Sequence, residues 1–196
     1  MEKIVVNEKG IHLKGEVWMK IGNNLSREQI IKSPDKNFKN LIVDVCSELI
    51  AEWAFAGSDS SEHIPGILTL AVGTGDIGWD IQNPPAETSG LTVLYNELTR
   101  KAFSSKTYVD SLGNPSSTRT NIIDFMTTFL EGEAVGPLVE MGLFGGLNSQ
   151  NPNGGTRINA RHFPVLNKPA TSQFSILWRL TFWFITSYIF KSKLIF

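Results

Sequence analysis

Ser175-Ile176-Leu177-Trp178-Arg179-Leu180-Thr181-Phe182-Trp183-Phe184 is the stretch that decides the fold. Ile176, Trp178, Leu180, Phe182 and Phe184 fall on one face of an extended chain, while Ser175, Leu177, Arg179, Thr181 and Trp183 fall on the other. Period-two alternation of this kind belongs to a β-strand. Ser, Arg and Thr on the second face predict that it is partly wet or meets a neighbour. Asn121–Phe129 repeats the pattern, with Ile123, Phe125, Thr127 and Phe129 alternating with Ile122, Asp124, Met126 and Thr128.

Working outward, further strands are expected in ILTLAVGTG at 67–75, a short apolar strand running into a glycine turn, and at Thr107–Val109, Val135–Phe144 and Arg157–Phe163 with Val165. Residues 91–103 alternate irregularly and read as a short helix leading to a strand. Near the N-terminus, Ile11, Leu13, Gly15, Val17 and Met19 alternate against Trp18, which reads as an edge hairpin or arm with Ile4–Val6. Residues 22–40 are polar and read as a loop with one helical turn at Ser26–Ile31 capped by Ser26. The clearest helix is expected over 39–56: Leu41, Val45, Leu49 and Trp53 recur on one side, with Ile42, Cys46 and Ile50 beside them. Asp44, Glu48 and Glu52 form its solvated stripe, and Gly57 is its stop.

Strands therefore outnumber helices. The expected class is mainly β, an antiparallel β-sandwich-like domain with one packed helix in the N-terminal half and extended terminal arms. The expected divisions are 1–38 as an N-terminal extension or hairpin arm, 39–184 as the β-rich domain, and 185–196 as a C-terminal arm.

Composition narrows the function classes. With 41% apolar residues the chain can build a core. Lys and Arg number 18 against 19 Asp and Glu, so the basic excess usual for nucleic-acid binders is missing and no nucleic-acid partner is expected. Cys46 is the single cysteine, which rules out a disulfide within one chain and suggests a buried thiol. Met1-Glu2-Lys3 and the residues after it lack the long apolar run of a signal peptide. Leu180–Phe190 is apolar, but a helical span needs about 20 residues; no membrane partner is expected.

No catalytic residue, cofactor or metal site stands out. Gly73-Thr74-Gly75-Asp76-Ile77-Gly78 has glycines but leads into Trp79 and Asn83-Pro84-Pro85, where a dinucleotide fingerprint would need a helix. His12, His63 and His162 have no ligand spacing and no cysteine nearby. Glu97 and Arg100, three apart, and Glu140 in an apolar strand are expected to form structural ion pairs. The aromatic residues of the C-terminal part, Trp178, Trp183 and Phe184 among them, suit a core strand followed by an interface tail.

Several segments in order resemble a widespread kind of phage virion structural protein of the neck, tail and baseplate type. They are LIAEWAFAG at 49–57, ILTLAVGTG at 67–75, Pro84-Pro85, LYNELTRKAF at 94–103, IIDFMTTFLEGEAVGPLVEMGLFGG at 122–146, INARHFPVLNKP at 158–169 and SILWRLTF at 175–182. The resemblance covers about residues 40–184. It implies a β-sandwich-like subunit repeated symmetrically around a tail, neck or baseplate. Such a subunit is virion-located, is assembled in the host cytoplasm, and has copies of itself and other phage tail, neck or baseplate proteins as partners. No catalytic residue carries over. The family's recurring residues fall on Gly73, Gly75, Glu97, Arg100, Glu140, Gly142, Leu143, Phe144 and Lys168, with Glu97 or Glu140 as the partner of Arg100. The alternative is a receptor- or glycan-binding module of the same particle, using Trp, Asn and Asp in the 76–90 and 145–156 loops.

Overall fold

The computed structural model describes residues 10–56 and 65–185. The chain is mainly β: among the described residues, one antiparallel sheet is curled into a half-barrel, with two short helices. In chain order the elements are β1 (Gly10–Ile21), α1 (Arg27–Lys32), β2 (Lys36–Ile42), α2 (Cys46–Ala56), β3 (Ile67–Gly73), β4 (Glu97–Ala102), β5 (Ser105–Tyr108), β6 (Ile122–Phe129), β7 (Gly136–Gly145), β8 (Thr156–Arg157), β9 (Asn159–Lys168) and β10 (Phe174–Ile185). The strand order is β4-β3-β7-β9-β2-β1-β10-β6-β5, with β8 added beside β7.

The two end strands follow each other in the chain. Only Phe103 and Ser104 separate β4 from β5, so the sheet must curl to bring its ends together. Phe103 packs on Phe125 of β6 with ring centroids 4.8 Å apart, and the Ser104 N–H donates to the Met126 carbonyl at 2.7 Å.

The alternation read at 175–184 sets the layers. Ile176, Trp178 and Leu180 enter the main core with Val17 and Met19 of β1, Phe125 and Phe129 of β6, Leu143 of β7 and Phe163 of β9. Such burial contributes on the order of 1.5–3 kcal/mol per large side chain. The opposite face is covered. Leu177 packs with Trp18 and Ile30, so α1 lies over β1 and β10. The Ser26 side chain caps α1 and Gln29 returns the bond, completing a capping box.

Four expectations need correction. The segment read as an edge hairpin or arm contains β1, which lies inside the sheet between β2 and β10, with Val17 and Met19 on one face and Trp18 on the other. The helix expected from 39 starts only at Cys46, and Lys36–Ile42 is a strand, so 22–40 is not all loop. Leu41 and Ile42 share the helical spacing, yet β1 pairs with Lys36–Asn40 and β9 pairs with Leu41 and Ile42, and strand pairing wins. Residues 91–96 form no helix; the chain stays irregular until β4.

Cys46, Leu49, Ile50 and Trp53 of α2 pack on the main core, and burial pushes the Cys46 thiol up to about 11. Asp44 and Glu48 are exposed as expected, and Asp44 accepts from the Ser89 hydroxyl at 2.8 Å. The Glu52 side chain, Gly57, the Ile4–Val6 run and the tail beyond Ile185 lie outside the described residues.

Candidate functional site

Gly73, Glu140 and His162 stand in one row across β3, β7 and β9. The row lies under a long loop, residues 74–96, and Glu140 fastens both ends of that loop. Its fully buried carboxylate accepts from the Gly75 N–H at 3.1 Å, the Asn96 N–H at 2.8 Å and the Tyr95 N–H at 3.0 Å. Three N–H donors are what an ionised carboxylate needs when water is excluded. Gly73 leaves room for this: a Cβ there would sit 2.6 Å from a Glu140 carboxylate oxygen and 2.5 Å from the Asn96 carbonyl oxygen. Gly75 turns the chain with φ +71, and a Cβ there would meet the Trp79 ring.

Glu97 and Arg100 form a buried bidentate pair, Nε to Oε1 at 2.8 Å and Nη2 to Oε2 at 2.6 Å. In a regular strand residues three apart point to opposite faces. Here Val72 pairs with Thr99 and Gly73 with Glu97, so Leu98 is an extra residue and the bulge returns Glu97 and Arg100 to one face. Arg100 is therefore the partner of Glu97, and Glu140 is committed to backbone N–H groups. Arg100 also donates to the carbonyls of Ser149 at 2.7 Å and Gly154 at 2.8 Å, and it stacks on Phe144 at 4.2 Å. The pair thereby ties down a second loop, residues 146–155, helped by the Asn153 N–H on Glu97 at 3.2 Å.

Arg157 is a buried cation that the sequence reading missed. It donates to the carbonyls of Asn159, Val93 and Met141 and touches no carboxylate. Burial pulls it down to about 10, against the upward pull of Glu140 and Glu87. Gly142 permits this arginine: a Cβ at 142 would lie 2.8 Å from the Asn159 carbonyl and 3.0 Å from Arg157 Nε. Leu143 faces the main core, and Phe144 forms a separate cluster with Ala71 and Leu94. Lys168 is also buried; its Nζ donates to the Leu130 carbonyl at 3.0 Å, and desolvation lowers its pKa against the pull of Glu133 and Glu131. Trp178, expected in a core strand, is fully buried in the main core. Trp183 and Phe184 pair with His12 and Ile11 in the β1–β10 ladder, and their side chains lie outside the described residues.

A groove opens beside the same loop. β2 pairs with β9 only at Leu41–Ala160 and Ile42–Asn159; beyond that the strands part and loop residues take the place of a strand. The Val165 N–H donates to the Ile81 carbonyl at 2.7 Å, and the His162 N–H to Glu87 at 2.5 Å. His162 Nδ1 lies 2.9 Å from the Pro85 carbonyl, and the imidazole packs against Trp79 at 4.5 Å and Tyr95 at 5.9 Å. Burial lowers the His162 pKa, opposed by its bond to Pro85 and by Glu87 and Glu140. Arg161 pairs with Glu87 at 3.3 Å and lies over Phe38 at 4.5 Å. The groove encloses about 630 Å³.

The fastened loops carry apolar side chains outward. Ile77 is fully exposed, and Ile81, Val93, Tyr95 and Leu147 are also exposed. Among the described residues no three His, Cys, Asp or Glu side chains are grouped as metal ligands, and Gly73–Gly78 leads into turns, not a helix. No family model matches the chain, and no curated protein matches it.

Proposed function

We propose that the chain is a structural subunit of a phage tail, neck or baseplate, assembling through contacts with copies of itself and with neighbouring virion proteins. The observation that carries the reading is the 74–96 loop. It is tied at both ends to Glu140, yet it holds Ile77, Ile81, Val93 and Tyr95 in water. Exposed apolar side chains on a surface loop are available to a contact surface, and a loop fixed beforehand avoids the ordering cost of association. Of the residues that the resemblance picks out, Gly73, Gly75 and Glu140 serve the fastening of this loop, and Glu97 and Arg100 fasten the 146–155 loop, which supports the same reading. It assigns no catalytic residue and no cofactor, and it puts the protein in the virion.

Immunogold labelling of particles from the producing culture tests it. Label at one fixed position along tail-like particles is expected. Label confined to the particle-free fraction contradicts it.

A further inference from the structure

We infer that Ile77 of one subunit seats in a slot beside β5 of the next copy, a head-to-tail contact that rests on the assembly proposed above and names its two surfaces. The Ile77 side is a preformed knob. Two successive turns hold it: the Trp79 N–H donates to the Asp76 carbonyl at 3.1 Å and the Asn83 N–H to the Asp80 carbonyl at 2.9 Å. The Asp76 carboxylate accepts from the Gly78 N–H at 2.8 Å, and that of Asp80 from the Gln82 N–H at 3.0 Å. Ile77 is thus fully exposed between two exposed acidic residues. The whole 74–96 loop has no Lys or Arg, and its third acid, Glu87, is paired with Arg161.

The slot lies where the curled sheet fails to close. β4 pairs with β3 only from Thr69 onward, so Ile67 lies past the end of β4, and β5 pairs with β6 alone. Lys106 and Tyr108 of β5 stand opposite Phe125 and Ile123 of β6, and residues directly opposite share a face. Ile67, Ile123 and Phe125 pack with the main core and line the slot together with Lys106, Thr107 and Tyr108. It encloses about 340 Å³, ample for an isoleucine side chain. Lys106 is exposed and forms no ion pair among the described residues, and the Asp110 carboxylate nearby in the chain is turned into its own loop, onto the N–H groups of Leu112 and Asn114. An apolar side chain flanked by two carboxylates therefore matches an apolar slot with one unmatched ammonium. Other hollows fit the knob less well. The one between Leu13 and Ile50 carries Asp44, which repels it; the one beside Leu147 is lined by Asn and Gln and has no cation; in the one beside Arg161 that charge is met by Glu87. Knob and slot are different surfaces of the same chain, so the contact is heterologous and repeats from copy to copy, closing into a ring where the rotation allows.

The test uses full chains carrying Ile77→Cys or Lys106→Cys, mixed in equal amounts and oxidised with copper–phenanthroline. Cys46, the single native cysteine, is buried, so the introduced thiols are the ones that react. A disulfide-linked pair is expected in the mixture and in neither variant alone. Beside it, light scattering over a range of concentrations compares the native chain with Lys106→Glu, which sets like charges against each other and should weaken association about tenfold or more while the melting transition stays in place. Three results would overturn the contact: no linked pair forms in the mixture, Ile77→Cys alone links as readily as the mixture, or the native oligomer keeps its mass in folded Lys106→Glu. A native chain that is a single subunit at every concentration overturns the self-assembly reading itself and the contact with it.

Discussion

Gly73 lies directly opposite Glu140 in the β3–β7 ladder, and the Glu140 side chain occupies the space that a side chain at 73 would need. The smallest residue on one strand thus lets a buried carboxylate on the next reach over and hold the ends of a long loop. Gly73→Ala should break this arrangement, because the added methyl meets a backbone carbonyl that cannot move aside as a flexible side chain does. A loss of about 1–3 kcal/mol is expected from overpacking. Urea denaturation measures it, and hydrogen exchange should show the Tyr95 and Asn96 amides losing protection first.

Asp124 anchors the other side of the molecule. It is buried and directly opposite Arg179 in the β6–β10 ladder, accepting from Arg179 Nε at 2.7 Å and from Arg27 Nε at 2.8 Å. Its hydrogen bond is the main cause that raises the Arg179 pKa above the ordinary arginine value. Arg27 belongs to α1, so the carboxylate clips that helix to the sheet. Asp124→Asn leaves two guanidinium groups without their counter-charge and should cost about 3–5 kcal/mol. The amides of α1 are expected to exchange faster than those of β10.

His162 makes stability depend on pH. Burial holds its folded-state pKa below the ordinary value of about 6.5, so the unfolded chain takes up the proton first. Glu87 and Glu140 face it and favour the charged form, while Arg157 opposes it. Stability should be level above about pH 6.5 and should fall as pH drops from there through the lowered folded value. Asp110 and Glu133 have lowered carboxyl pKa values, through bonds from Asn114 and Lys101, and lose their contribution only at more acid pH. Denaturant midpoints from pH 7.5 to 5 should show the decline in the native protein, and His162→Gln should flatten it.

The sequence made the fold class legible because strand alternation is local. The faces of β10 and β1 and the Ser26 cap follow from neighbouring residues alone. The 36–42 strand did not, because Leu41 and Ile42 also satisfy a helical spacing and only the presence of β1 and β9 on its two sides decides. Glu97 and Arg100 were found by a separation of three, which suits a helix; a strand bulge, invisible in the sequence, makes the same pair. The Asp124 cluster joins residues 97 and 55 positions apart. Its only local sign is a single charge inside each of two apolar strands, the sign that also marked Glu140. Nothing local marks Glu87 as the partner of Arg161 and His162, since a loop and a distant strand meet there.

The most direct test of assembly through the fastened loops is the mass of the purified protein by light scattering, for the native chain, for Ile77→Asp combined with Tyr95→Asp, and for a chain lacking residues 185–196. Ile77 is fully exposed, so Ile77→Asp alone should leave the melting transition in place; Tyr95 is only half exposed and packs on Trp79 and His162, so the double variant is read beside that single one. The account predicts a multiple of 21.7 kDa for the native chain and a fall toward a single subunit when the loop is charged. If only the truncation dissociates it, the contact belongs to the C-terminal arm and not to the loop. A native protein that stays at 21.7 kDa at every concentration would contradict self-assembly.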